Sequence, residues 1–483
     1  MAVTVKTVDA LISAINGNES DIIIESGTYT LTTRLVSKAL ARKLIGRGNV
    51  ILNFVRVPNG TFTNPTVCLD FQNKSRIFNI TIQINPSSAT PQHIIGVRYK
   101  LIVNYKYQLI GNPTTNTLSN IPSVSENNTF TFGGRVYSSN DNIVYYYPIT
   151  DQLADTAKTL VKTYAFQEIS KGVYGWELEK GADEADMDSS LINCKFLTNL
   201  TDFSSRGIIA VDYHGRNIES DGCTFTNLGT GIRLQFPRNN TLSAPSSATN
   251  LNQNGFYGHR KARLYKNTFT GVSRAFHITG DVTLRGAIIT DNVIGSSKIN
   301  NSGGQLIYCD GNGGIKSSVI SSNTVYNHNT TTLGYSSTIL FTSGLFENNI
   351  VSSNNFFGRP SDVMVFTSTC KFLGNIISSN DIGDAYTQGM YVNNCYGLLA
   401  TGNKFSISGI ANITLSNSIT NVSIVNNTSV NNSRSTNTFL NFSDGIYSRF
   451  IISKNVISSL TNIFRYPSIF KFVRPYLIQT KKF

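Results

Sequence analysis

Residues 262–271 read "ARLYKNTFTG", and Asn267 is the residue that decides the fold. The same small phrase, an apolar strand, a polar step, then Asn or Cys, any residue and an apolar residue, returns along the chain. It appears as "LINCKF", "SDGCTF", "LYKNTF", "ITDNVI", "ISSNTV", "SSNNFF", "SSNDI", "ATGNKF" and "ISKNVI". The repeated position is Cys194, Cys223, Asn267, Asn292, Asn323, Asn355, Asn380, Asn403 and Asn455, with a weaker copy at Asn427. Most steps are about 23–32 residues and one is about 44. Such a period is the mark of a repeat architecture.

A second short strand lies between copies, as in "GIIAVDY", "GIRLQF", "AFHITG", "QLIYCD" and "TILFTS". No helical period separates the strands, so these are not βαβ units. Stacked β-coils fit, because a turn can lengthen without disturbing the stack. Asn at an equivalent corner can donate to and accept from its counterpart on the next coil. Phe269 then points into the core. Sequons such as Asn79, Asn199, Asn412 and Asn441 read as by-products of an Asn/Ser/Thr-rich solenoid.

Solenoid ends need caps. Val8, Leu11, Ile12 and Ile15 fall at helical spacing, Thr7 suits the N-cap and Gly17 the stop. "DIIIESGTYTL" and "RKLIGRGNVILNF" follow. This opening resembles that of the pectin-lyase-like right-handed parallel β-helix superfamily, which includes polysaccharide lyases, glycoside hydrolases and phage tailspikes. The resemblance covers residues 1–85 and, through the repeats, about 186–460. It implies an all-β solenoid, a right-handed parallel β-helix with an N-terminal capping helix. The expected division is 1–96 cap and first coils, 97–185 an inserted mixed subdomain, 186–465 the main helix and 466–483 a C-terminal cap or tail.

In the insert, "RYKLIVNYKYQLIGN" and "NTFTFGGRVYSS" alternate like antiparallel strands, and "DQLADTAKTLVKTYAF" fits a helix. Its aromatics, Trp176 among them, suit either sugar stacking or strand packing. The acidic run Glu177–Asp188 lacks metal-loop spacing and reads as a solvated loop, with calcium the second reading and no other cofactor expected.

Charged residues make up only 14% of the chain, while the net charge is +13. That balance suits an acidic polysaccharide, a nucleic acid or a membrane surface, and no nucleic-acid motif accompanies it. No apolar run reaches the roughly 20 residues of a membrane span, and the N-terminus lacks a secretory pattern. Six scattered cysteines without C-x-x-C argue for buried free thiols.

On a solenoid, chemistry sits in rows across coils. Residues 200–312 hold Arg206, Asp212, His214, Arg216, Arg233, Arg238, His259, Arg260, Arg274, His277 and Asp310, with three of the five histidines. Later coils show mostly Ser, Thr and Asn. Aligned second strands put Asp212, Gln235 and Thr279 near one level and Arg233 and His277 on the next; a slip of one residue would turn every side chain over. His277 or Asp212 beside Arg233 suits β-elimination of a uronic acid, the Arg neutralising the carboxylate. Asp212 with Asp310 would suit hydrolysis, if close. Arg206, His214, Gln235, Arg274 and Trp176 are the candidate substrate contacts. The bland alternative is a solvated or ion-paired surface.

The first functional expectation is a polysaccharide-active lyase or hydrolase of the tailspike kind; the alternative is a glycan-binding adhesin or a structural virion protein. The tailspike resemblance implies a virion or extracellular setting and a homotrimer or other virion proteins as partners, although no trimerisation segment is recognised.

Overall fold

The computed structural model describes the coils between residues 2 and 100 and between 188 and 482. Several stretches within them are left out, the longer being 201–206, 236–261, 296–303, 328–336 and 431–437. Between 101 and 187 only eight short strands are described.

Each coil contributes strands to parallel ladders that run the length of the molecule. One ladder passes through Asp21–Ile24, Lys43–Gly46, Arg76–Phe78, Asp188–Ile192, Asn217–Asp221, Ala262–Tyr265 and Ile288–Thr290. A second passes through Thr81–Pro86, Lys195–Thr198, Thr224–Thr226, Thr268–Thr270 and Val293–Gly295. A third, described below, carries the charged residues. Parallel strands joined by crossovers wind right-handed, and the chain is a right-handed parallel β-helix.

The corner between the first two ladders explains the repeat. Asn267 Nδ2 donates to Asn292 Oδ1 at 3.0 Å, and Asn292, Asn323, Asn354, Asn380, Asn403 and Asn427 pass the same bond on, ending at Asn455. Each acceptor oxygen also takes the backbone N–H of the preceding asparagine, and each amide donates again to a carbonyl of the preceding coil. Every polar atom of these buried amides is thereby satisfied. The ladder starts where Cys223 N donates to Asn267 Oδ1 at 3.1 Å. Cys194 and Cys223 occupy the earlier rungs, as Thr224 N to Cys194 O and Thr268 N to Cys223 O show.

One rung corrects the sequence alignment. The buried member is Asn354, and the expected Asn355 begins the next strand with its side chain exposed. The left-handed backbone also belongs to the residue before each rung: Lys266, Asp291, Ser322, Ser353 and Ser379 have φ of 55–56°. A shorter ladder, Ser318–Asn349–Asn375, was not legible in the repeat.

Inside, Phe196, Phe225 and Phe269 stack with centroids 5.1 and 4.6 Å apart and rings nearly parallel. All six cysteines are buried and unbridged. At the N-terminal end, the helix Val8–Asn16 buries Leu11, Ala14 and Ile15. Thr7 caps it through Ala10 N, and the buried Arg42 takes the carbonyls of Ala14, Ile15 and Gly17 at its C-terminus. A cation there offsets the negative end of the helix.

The coil ladder holds Ile94–Lys100 and resumes at Asp188, so Arg98 and Tyr99 of "RYKLIVNYKYQLIGN" pair in parallel, whereas Lys106–Gln108 of the same stretch pair antiparallel with Glu177–Glu179, as expected. Between them, Thr129–Phe132, Arg135–Asn140, Ile143–Tyr146 and Lys162–Ala165 form an antiparallel sheet. Lys162–Ala165 are strand where a helix over 151–166 was expected; residues 151–161 and 166 lie outside the described residues. Tertiary pairing has overridden helical periodicity there.

Candidate functional site

The third ladder pairs Thr66–Gln72, Ile94–Lys100, Ile208–Tyr213, Thr230–Gln235, Arg274–Thr279 and Gln305–Cys309. Its flanking rows are apolar and inward: Val97, Val211, Ile232, Phe276 and Ile307 on one side, and Tyr99, Tyr213, Leu234, Ile278 and Cys309 on the other. Strand alternation turns the row between them outward. That row reads Asp70, Arg98, Asp212, Arg233, His277, Tyr308, each the in-register neighbour of the last.

Opposite charges alternate along it. Arg98 grips Asp70 through Nε to Oδ1 at 3.2 Å and Nη2 to Oδ2 at 2.8 Å, and Arg34 reaches the same Oδ2 from the previous coil. Arg233 grips Asp212 likewise, with both bonds at 2.8 Å, while Gln235 Nε2 donates to Asp212 Oδ2 at 2.9 Å. Two-point guanidinium–carboxylate contact is the geometry that repays burial of charge. Asp212 is 0% exposed and offers no atom to a ligand. Burial alone would lower the pKa of Arg233; the ionised Asp212 outweighs it and holds Arg233 firmly charged.

The row opens at its C-terminal end. His277 is 8% exposed, and its Nε2 lies 3.1 Å from Asp310 Oδ1 on an approach that misses hydrogen-bond alignment. The Asp310 side chain is 33% exposed, the most open of the paired acids here. Tyr308 stands between: its ring centroid is 5.0 Å from that of His277, and the Arg274 guanidinium carbon sits 4.0 Å over it. Arg274, His277, Tyr308 and Asp310 thus form one cluster on two adjacent coils.

Burial pushes the His277 pKa below 6.5; Asp310 pulls the other way, and Arg274 and Arg233 add to the fall. Burial opposes ionisation of Asp310, yet His277, Thr279 and Arg274 together hold its pKa below 3.8. Burial and the Asp310 carboxylate raise the Tyr308 phenol, so it stays protonated. At neutral pH the cluster therefore presents a neutral imidazole, a carboxylate, a phenol and a guanidinium. No group of three or more His, Cys, Asp or Glu converges among the described residues to suggest a metal ion.

The structure brings Asp212, Arg233 and Gln235 together, and Arg274, His277 and Asp310 together. Arg233 pairs with His277 and Gln235 with Thr279, as expected; Asp212 alone was placed on the wrong level, since it pairs with Arg233 and not with Gln235. Arg206, His214 and Trp176 lie outside the described residues. Asp70, Arg98, Arg34 and Tyr308 were missed. Three of them carry the signal that marks Asp212: a polar or charged residue flanked by apolar ones, in "LDF", "VRY" and "IYC".

No family model matches the sequence, and no curated protein does. Solved structures do resemble it. A mutant periplasmic alginate epimerase is 10% identical over 95% of this chain and 76% of its own, with a TM-score of 0.38. A mutant tailspike of E. coli bacteriophage HK620, in complex with a pentasaccharide, is 12% identical over 98% and 74%, with a TM-score of 0.41. The tailspike of Pseudomonas phage phi297 is 11% identical over 98% and 70%, with a TM-score of 0.33. At such identities the likeness concerns the fold, and the fold stands on the chain's own ladders.

Proposed function

We propose that this protein binds an acidic polysaccharide across the flank of its coils and modifies it at the cluster of Arg274, His277, Tyr308 and Asp310. The observation that carries this is the neutral, desolvated His277 beside a partly open carboxylate and a guanidinium. In a uronic acid residue, Arg274 pairs with the sugar carboxylate and so acidifies C5. His277 takes the C5 proton. The electron pair forms the C4–C5 double bond, the C4–O bond breaks, and the protonated Tyr308 supplies a proton to the departing oxygen. Asp310 steadies the imidazolium that forms. Asp212 and Arg233 stand behind this cluster as supports. A homotrimer, or a place on a virion or other extracellular surface, belongs to the same proposal.

One observation favours a second reading, binding without turnover: His277 is mostly covered. A panel of acidic and neutral polysaccharides decides between them. Unsaturated uronate absorbance identifies a lyase, new reducing ends without it a hydrolase, and retention without either an adhesin. If no glycan of either kind is bound or changed, the reading falls.

A further inference from the structure

Behind His277 stands the Asp212–Arg233 pair, locked by two hydrogen bonds and mostly withdrawn from solvent, with side chains 0% and 14% exposed. Arg233 is in register with His277 on the preceding coil, and Asp212 is in register with Arg233 one coil further back. Among the described residues, the other charged or titratable groups facing the imidazole are Asp310 and Tyr308 on the following coil and Arg274 on its own strand. Asp310 and Arg274 are the groups a charged substrate would engage. A contact with either would alter their influence on His277, while the buried pair would remain.

We infer that Asp212 and Arg233 are positioning residues for His277: the buried ion pair supplies a fixed charge behind the imidazole that sets how readily it takes a proton, and Asp212 tempers that charge. The physical basis is distance and burial. Adjacent parallel strands are about 5 Å apart, so Arg233 acts on His277 at close range and Asp212 at about twice that. The two-point grip leaves neither charge free to swing toward solvent. Arg233 therefore disfavours the imidazolium, Asp212 partly cancels it, and the net effect adds to the burial that keeps His277 neutral.

The opposite signs of the two charges make the inference testable without turnover. In the whole protein with labelled imidazoles, the titration of His277 is followed by NMR, its resonance among the five histidines identified with His277→Gln. Arg233→Gln is expected to raise the His277 pKa by about one pH unit, and Asp212→Asn, at about twice the distance, to lower it by about half a unit. The double variant Asp212→Asn/Arg233→Gln removes both charges at similar shape and is expected to raise it, because the nearer charge dominates. Should either single variant not fold, the double decides: a pKa within about 0.3 units of the parent overturns the inference. Shifts of the single variants in the same direction overturn it too, since they would report disturbance and not charge. The extension to catalysis rests on the proposed function. If the titration moves as expected but no glycan is turned over, the positioning role stands and the catalytic reading alone fails.

Discussion

Arg233 holds Asp212 through two parallel hydrogen bonds of 2.8 Å, on a carboxylate that water does not reach. Removing one partner of such a pair leaves the other as an uncompensated buried charge. Asp212→Asn is expected to cost about 3–5 kcal/mol in stability, and Asp212→Asn/Arg233→Gln distinctly less. Urea unfolding of the two variants checks this; equal losses would mean that the pair is not a unit.

Asn323 receives the N–H and the amide of Asn292 and gives its own amide to Asn354. Asn323→Ala strands these donors and acceptors inside the coil, at about 1–3 kcal/mol for each group left unsatisfied. Asn355→Ala, on the exposed neighbour, is expected to fall within about 0.5 kcal/mol of the parent. Hydrogen exchange of residues 289–356 should quicken in the first variant and stay unchanged in the second.

Asp291 sits at φ 56°, a conformation that a branched side chain tolerates badly. Asp291→Val is expected to cost about 1–3 kcal/mol, and Asp291→Gly to be neutral or slightly stabilising. Thermal midpoints of the pair test whether the corner or the side chain matters.

The folded state binds a proton at His277 less readily than the unfolded chain, whose histidine titrates near 6.5. Protonation therefore favours unfolding. The stabilising effect of the neutral imidazole is complete above that value and is lost as the pH falls from 6.5 through the lower pKa of the folded state. His277→Gln should flatten this acid slope in urea midpoints measured across the same window.

For the proposed chemistry, His277→Ala is expected to lower kcat/KM by about 10²–10⁴, and the acid limb of the parent's profile should lie below pH 6.5. Arg274→Lys should raise KM for acidic glycans more than it lowers kcat, because lysine keeps the charge and loses the planar fork. Steady-state kinetics on the polysaccharide identified by the panel provide both numbers.

The periodic Asn, the capping helix and the β-coil class were legible because each is written in local spacing. Thr7, Leu11 and Ile15 specify a helix wherever it lies, and a residue type recurring at one corner signals stacking. Asn354 was misassigned to Asn355 because two adjacent asparagines satisfy the same pattern, and only the corner's backbone separates the buried one from the exposed one.

Asp212, Arg233 and His277 were individually visible in the sequence, whereas Asp70 and Arg98 were missed although they have the same apolar neighbours. The union of these residues in one row was not visible. Asp70 and Arg98 are 28 residues apart and Arg98 and Asp212 are 114, so the steps have no common period to read. Sequence spacing determined that the chain would coil, since stacking demands a repeated local pattern. Which residues share a row was decided by strand register in the folded molecule, because a slip of one residue exchanges the inward and outward faces and leaves the local pattern unchanged.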